Sequence, residues 1–166
     1  MSEKTEKNLA YAFAAESKAA TRNAAFAQKA EKDGFPQIAH LFRAISDAES
    51  VHARRFLNLM RGKIGPTEEN LEAAFNNEIK ANADEYPGLI AAATEEGVEA
   101  VVRAFSHARD VETGHAELYK KAMNAMLGDR EVGYYVCQVC GYVSEGSAPE
   151  KCPVCGAVEG KFKKVD

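Results

Sequence analysis

One short pattern restricts this chain more than any other feature, because the chain carries it twice. Ala48-Glu49-Ser50-Val51-His52-Ala53 returns as Val111-Glu112-Thr113-Gly114-His115-Ala116. The match extends outward: Gly34 pairs with Gly97, Phe42 with Phe105 and Asp47 with Asp110, all at one offset of 63 residues. This is an internal duplication. A Glu and a His three residues apart on a helix project to the same side, so each copy offers a carboxylate and an imidazole to one point.

Each copy also has a lone acid upstream. Glu16 lies 33 residues before Glu49, and Glu78 lies 34 before Glu112. Two facing helices that each carry Glu-x-x-His, with one inward Glu from each of two further helices, form the ligand set of di-iron and di-manganese four-helix bundles. Four carboxylates gathered in a dry core are prohibitively costly without cations. Two divalent metals balance the four charges, and carboxylate with imidazole suits iron or manganese, although zinc also enters such sites. A single Glu-x-x-His is usually an ordinary surface pair; the duplication and the matched upstream acids argue against that here. His40 and His107 have no Glu three positions earlier and do not repeat at the offset, so they receive no metal role.

The rest of the composition agrees with helix. With 166 residues there is room for one bundle and a small satellite. Through residue 127 Gly and Pro are sparse while Ala, Glu, Lys and Leu abound. A net charge of −4 with both signs interspersed offers no field for nucleic acid or a membrane surface. No apolar run nears the roughly 20 residues of a membrane span, and the N-terminus has no signal-peptide core. The expected location is the cytoplasm.

In chain order, a first helix is predicted over Thr5 to Lys32, ended by Asp33-Gly34. A second runs from Pro36, a residue tolerated in a first helical turn, to about Met60. Gly62, Gly65 and Pro66 break the chain, and Thr67 is expected to cap a third helix that bends near Pro87 and closes at Gly97. A fourth runs from Val98 to Leu127. Beyond Gly128, Tyr134-Tyr135-Val136 and Phe162 suggest short strands around Cys137-Gln138-Val139-Cys140-Gly141 and Cys152-Pro153-Val154-Cys155-Gly156. Two Cys-x-x-Cys pairs make a tetrathiolate site for structural zinc or a single redox iron, and about 35 residues need such a crosslink to fold. The domain boundaries are therefore expected at 1–130 and 131–166.

Over nearly its whole length the chain resembles the rubrerythrin family. Glu16, Glu49, His52, Glu78, Glu112 and His115 fall on that family's di-iron ligands, and Cys137, Cys140, Cys152 and Cys155 on its rubredoxin-like iron ligands. Ala14-Ala15-Glu16-Ser17, Ala39-His40-Leu41-Phe42-Arg43-Ala44-Ile45, His115-Ala116-Glu117-Leu118-Tyr119 and Tyr86-Pro87 carry the likeness further. The resemblance implies an all-α ferritin-like four-helix bundle with a small C-terminal rubredoxin-like metal-bound β domain. It also implies a non-haem peroxidase that reduces hydrogen peroxide to water. Electrons would come from NAD(P)H through a reductase or rubredoxin and the tetrathiolate iron. Two irons are expected in the bundle and one in the tail, with a homodimer bringing one subunit's tail near the other's bundle site.

Two positions depart from the family. A carboxylate that many members carry three residues after the third-helix ligand is Ala81 here, and a frequent tyrosine is Asn23. Without that carboxylate, His52 is expected to stay bound in both oxidation states. Tyr86 remains as a proton or hydrogen-bond donor. The rival readings are a ferroxidase or iron-handling protein, and a structural or regulatory protein with a zinc-ribbon tail.

The second linker bears on assembly. If the second and third helices run parallel, the chain must return from Met60 to Thr67 past about 33 Å of helix, whereas seven extended steps reach about 24 Å. Either helix ends unwind, or the first two helices of one chain pair with the last two of another.

Overall fold

The computed structural model describes residues 1–125 and 132–166. The expected end of the last helix at Leu127, the break at Gly128 and the 130/131 boundary lie outside the described residues. The chain divides into two compact units, Met1–Gly65 and Pro66–Asp166.

The first unit is a helical hairpin. α1 (Glu3–Lys32) begins where Ser2 Oγ accepts the Thr5 N–H, with Glu3 and Glu6 in its first turn and Lys29 and Lys32 in its last, each sign suited to the helix dipole. It ends in a closure that needs a left-handed residue: Phe35 N–H reaches the Ala30 carbonyl, Gly34 N–H reaches Glu31, and Gly34 takes φ +83°. Pro36 then opens α2 (Pro36–Leu59). The helices are antiparallel, tied by Arg43 to Glu31, Ser46 Oγ to the Ala20 carbonyl and Arg61 to Glu6. The buried residues of the hairpin are alanines: Ala20, Ala27 and Ala30 on α1 and Ala39 and Ala53 on α2. Phe26 and Phe42 pack edge to face at 5.5 Å.

The second unit opens with α3 (Thr67–Lys80). Thr67, expected as the cap, is the first helical residue, and Pro66 precedes it as the cap without a side-chain bond. The bend expected near Pro87 is a π turn over Ala81–Glu85, followed by α4 (Tyr86–Glu95). Proline has no N–H for the carbonyl four residues back and its ring crowds that turn. Widening the preceding turn accommodates it, and Tyr86 N–H bonds to the Ala81 carbonyl. Gly97 at φ +71°, with Val98 N–H on the Ala93 carbonyl, repeats the closure at Gly34, so the duplication is visible in the backbone. α5 (Glu99–Asn124) follows.

The tail is a three-stranded antiparallel sheet, order β2-β1-β3, of β1 (Tyr134–Cys137), β2 (Val143–Glu145) and β3 (Phe162–Val165). Lys121 of α5 pairs with Glu145 of β2. Among the described residues the buried apolar side chains are alanines, Val111, Cys137 and Cys152, and no helix is long and apolar enough to cross a membrane.

Candidate metal centre

In the first unit, α1 brings Glu16 against Glu49 and His52 of α2. Their ligand atoms lie within 4.8 Å of one another. His52 Nδ1 is 2.9 Å from Glu49 Oε2, as Glu-x-x-His on a helix predicts. The hydrogen bond to Glu49 raises the Glu16 carboxyl above its ordinary range, while the bond to His52 lowers Glu49. Glu49 is 24% exposed and His52 55%, so this half-site is open on one side.

The second unit builds the same constellation from Glu78 of α3 with Glu112 and His115 of α5, again within 4.8 Å. His115 Nδ1 is 3.0 Å from Glu112 and 3.9 Å from Glu78. Burial, then the hydrogen bond and charge of Glu112, push Glu78 up to about 7. His115 Nε2 lies 3.2 Å from the Gly141 carbonyl. A carbonyl only accepts, so Nε2 carries the hydrogen and the Nδ1 lone pair faces two carboxylates. Three electron-rich atoms aimed at one point fit a cation, and the pinned outer nitrogen is how a metal-ligating histidine is oriented.

The π turn has a local consequence at this site. Eight residues of regular helix would carry Tyr86 about 80° around the axis from Glu78; one residue absorbed in the wide turn returns it to within about 20°. Tyr86 accordingly bonds to Glu112, and burial followed by the Glu112 charge raises its phenol above the usual range. Burial and the charges of Glu78 and Glu112 raise Tyr119 in the same way.

Sequence reasoning passed over Asn82. From within the π turn its amide donates to the Arg109 carbonyl and to Thr113 Oγ1, both at 2.8 Å, bracketing Glu112 on α5. The wide turn has no signature in composition, and only the proline after it hinted at one. A cavity of about 200 Å³ beside Asn82 is lined by Phe75, Ile79, Thr113 and both acids, Glu78 and Glu112. Ala81 opens the π turn, Asn23 is half-buried on α1, His40 is exposed and His107 half-buried.

In the tail, the Sγ atoms of Cys137 and Cys155 are 3.7 Å apart and those of Cys140 and Cys152 3.5 Å. A tetrahedral ion with metal–sulfur bonds of about 2.3 Å needs sulfurs about 3.7 Å apart, so the four thiols fit one ion. Gly141 and Gly156, both at positive φ, send their N–H groups back to the Cys137 and Cys152 carbonyls at 2.9 Å each. Burial raises Cys140 and Cys155; burial also pushes Cys137 up, but backbone N–H groups of Cys140 and Val139 and the neighbouring sulfurs outweigh it and its thiol falls.

Comparison with known proteins agrees with this construction. The family model for rubrerythrin matches residues 7–123, and that for the rubrerythrin rubredoxin-like domain matches 135–163. Rubrerythrin of Porphyromonas gingivalis is 35% identical over 181 residues, covering 98% of this chain and 90% of its own. Nigerythrin of Nitratidesulfovibrio vulgaris is 35% identical over 164 residues, covering 91% and 81%. The solved mixed-valence nigerythrin superposes with a TM-score of 0.57 at 34% identity, over 97% of this chain and 86% of that one. By these matches, and by a paired Glu-x-x-His bundle joined to a four-cysteine tail, the chain belongs to the rubrerythrin family, helical di-iron proteins of ferritin-like fold with a rubredoxin-like iron domain.

Proposed function

We propose that the protein is a non-haem di-iron peroxidase of oxidative-stress defence, reducing hydrogen peroxide to two waters with two electrons and two protons. The electrons come from NAD(P)H through a reductase or rubredoxin and then the tetrathiolate iron. On this reading Glu16, Glu49, His52, Glu78, Glu112 and His115 hold two irons in a bundle domain, residues 1–130, and Cys137, Cys140, Cys152 and Cys155 hold one in residues 131–166. The protein works as a homodimer in the cytoplasm, where its four unpaired thiols stay reduced.

The observation that carries this reading is the contact between the two kinds of site. Gly141 follows the ligand Cys140, and its carbonyl accepts from His115 Nε2 at 3.2 Å. An electron leaving the thiolate centre therefore has a bonded route to a ligand of the bundle. A store for iron has no use for that link. Bound iron would supply the two electrons and polarise the O–O bond as a Lewis acid.

The chain's own residues do the rest. The 200 Å³ cavity reaches Glu78 and Glu112 past Phe75 and Ile79, with Glu117 and Lys120 also on its wall, and is wide enough for peroxide. Tyr86 keeps its proton because burial and the Glu112 charge raise its pKa, so it can donate to a departing oxygen. His115, pinned by Gly141, keeps Nδ1 aimed at the metal position.

Metal analysis with stopped-flow oxidation tests the reading. Three irons per chain, a red colour bleached by reductant, and reoxidation faster by peroxide than by oxygen are expected. Faster reoxidation by oxygen would favour the iron-handling reading, and colourless zinc-bearing protein would refute the peroxidase.

A further inference from the structure

We propose that the cavity beside Asn82 takes organic hydroperoxides, ROOH in which R is a benzene-sized apolar group, and that the protein reduces them to the alcohol and water. The inference rests on the peroxidase reading and adds a substrate class at the same site. The O–O bond breaks, two electrons arrive from NAD(P)H by the route proposed above, and two protons complete ROH and H2O.

The first argument is size. The cavity measures about 200 Å³. A water needs roughly 10–15 Å³ of such space, and an apolar cavity of about 150 Å³ lined by Leu, Ile and Phe binds benzene. Hydrogen peroxide, scarcely larger than water, therefore fills only a small part of this one. The remaining room is lined by Phe75 and Ile79 of α3 and Ala116 of α5. Every residue on the wall belongs to the unit Pro66–Asp166, so the cavity is built within that unit alone.

The second argument is the placing of the polar groups. Glu78 and Glu112 line the cavity and also belong to the candidate metal centre, so a molecule held there has the reacting groups within reach. Asn82 spends both Nδ2 hydrogens on the Arg109 carbonyl and Thr113 Oγ1, which leaves its amide only an acceptor, Oδ1. Two carboxyl groups and an amide oxygen suit the O–H of a hydroperoxide. An ester or ether of equal bulk brings only acceptors to that end. Glu117 and Lys120 complete the wall but are exposed, so their charged heads stay in water while their methylenes extend the apolar surface. The substrate enters with its O–O group toward the acids and its carbon body against Phe75, Ile79 and Ala116.

Two measurements decide it. In full-length metal-free protein, 2-phenyl-2-propanol, the alcohol left by cumene hydroperoxide, is expected to shift the Thr113 methyl resonance saturably. Each buried methylene contributes about fourfold in binding, so this alcohol should bind at least about tenfold more tightly than tert-butanol. Ile79→Trp, which fills the cavity, should abolish the shift; Ile79 is 48% exposed, so the variant should fold. Ile79→Ala, which widens the cavity, should keep the binding. No saturable shift in wild type, or the same shift in Ile79→Trp, overturns the proposal. In iron-loaded protein, cumene hydroperoxide should be turned over, and Ile79→Trp should cut its kcat/KM relative to that of hydrogen peroxide by about tenfold or more. An unchanged ratio overturns the proposal. Protein that reduces hydrogen peroxide but not cumene hydroperoxide refutes the substrate class alone, whereas protein that reduces neither refutes the peroxidase reading with it.

Discussion

Removing the Asn82 side chain should loosen the second half-site in a measurable way. Its amide makes two hydrogen bonds across the unit, to the Arg109 carbonyl and to Thr113 Oγ1, each 2.8 Å. Neutral bonds of this kind contribute roughly 0.5–1.5 kcal/mol each, so Asn82→Ala should cost about 1–3 kcal/mol. For a chain of this size each kcal/mol moves the melting temperature by about 2–4 °C; a fall of about 4–8 °C is the central expectation. Asn82→Asp separates hydrogen bonding from shape. It keeps the volume but replaces the donor with an acceptor, setting a carboxylate against the Arg109 carbonyl one turn from Glu78. At pH 7.5 it should therefore be at least as damaging as the alanine variant. The new carboxyl is disfavoured when charged, so its folded pKa is raised. Its penalty should be full above the folded pKa and shrink as pH falls toward the unfolded value near 4. Thermal denaturation of metal-free protein at pH 5 and 7.5 tests both points. An N82D variant melting within about 1 °C of wild type at pH 7.5 would show that the clamp has no energetic weight.

Three further outcomes are expected. Metal must displace the proton that Glu78 holds up to about 7, so below that value iron affinity should fall by about tenfold per pH unit for this group; equal affinity at pH 6 and 8 would contradict it. Zinc placed in the tetrathiolate site should leave single-turnover oxidation of the reduced bundle by peroxide intact while abolishing NAD(P)H-driven turnover, and unchanged steady-state rates would remove the tail from the electron path. With Ala81 where many relatives carry a carboxylate, His52 should remain on its metal in crystals of both oxidised and dithionite-reduced protein; release on reduction would show that another group takes its place.

The helices, their glycine stops, the two Glu-x-x-His pairs and the cysteine knuckles were legible in the residues because each rests on local spacing. Gly34 and Gly97 could be matched by arithmetic, and both adopt the left-handed conformation that ends their helices. The Thr67 cap was misplaced by one residue, since Pro66 fixes the chain's entry and leaves Thr67 inside the first turn. Asn82 and the Gly141 contact were not legible: one depends on a turn widened by a proline five residues later, the other on docking of a tail 26 residues beyond His115. The acids were expected in a dry core, whereas their burial is only partial in each unit, with Glu49 24% and Glu112 20% exposed.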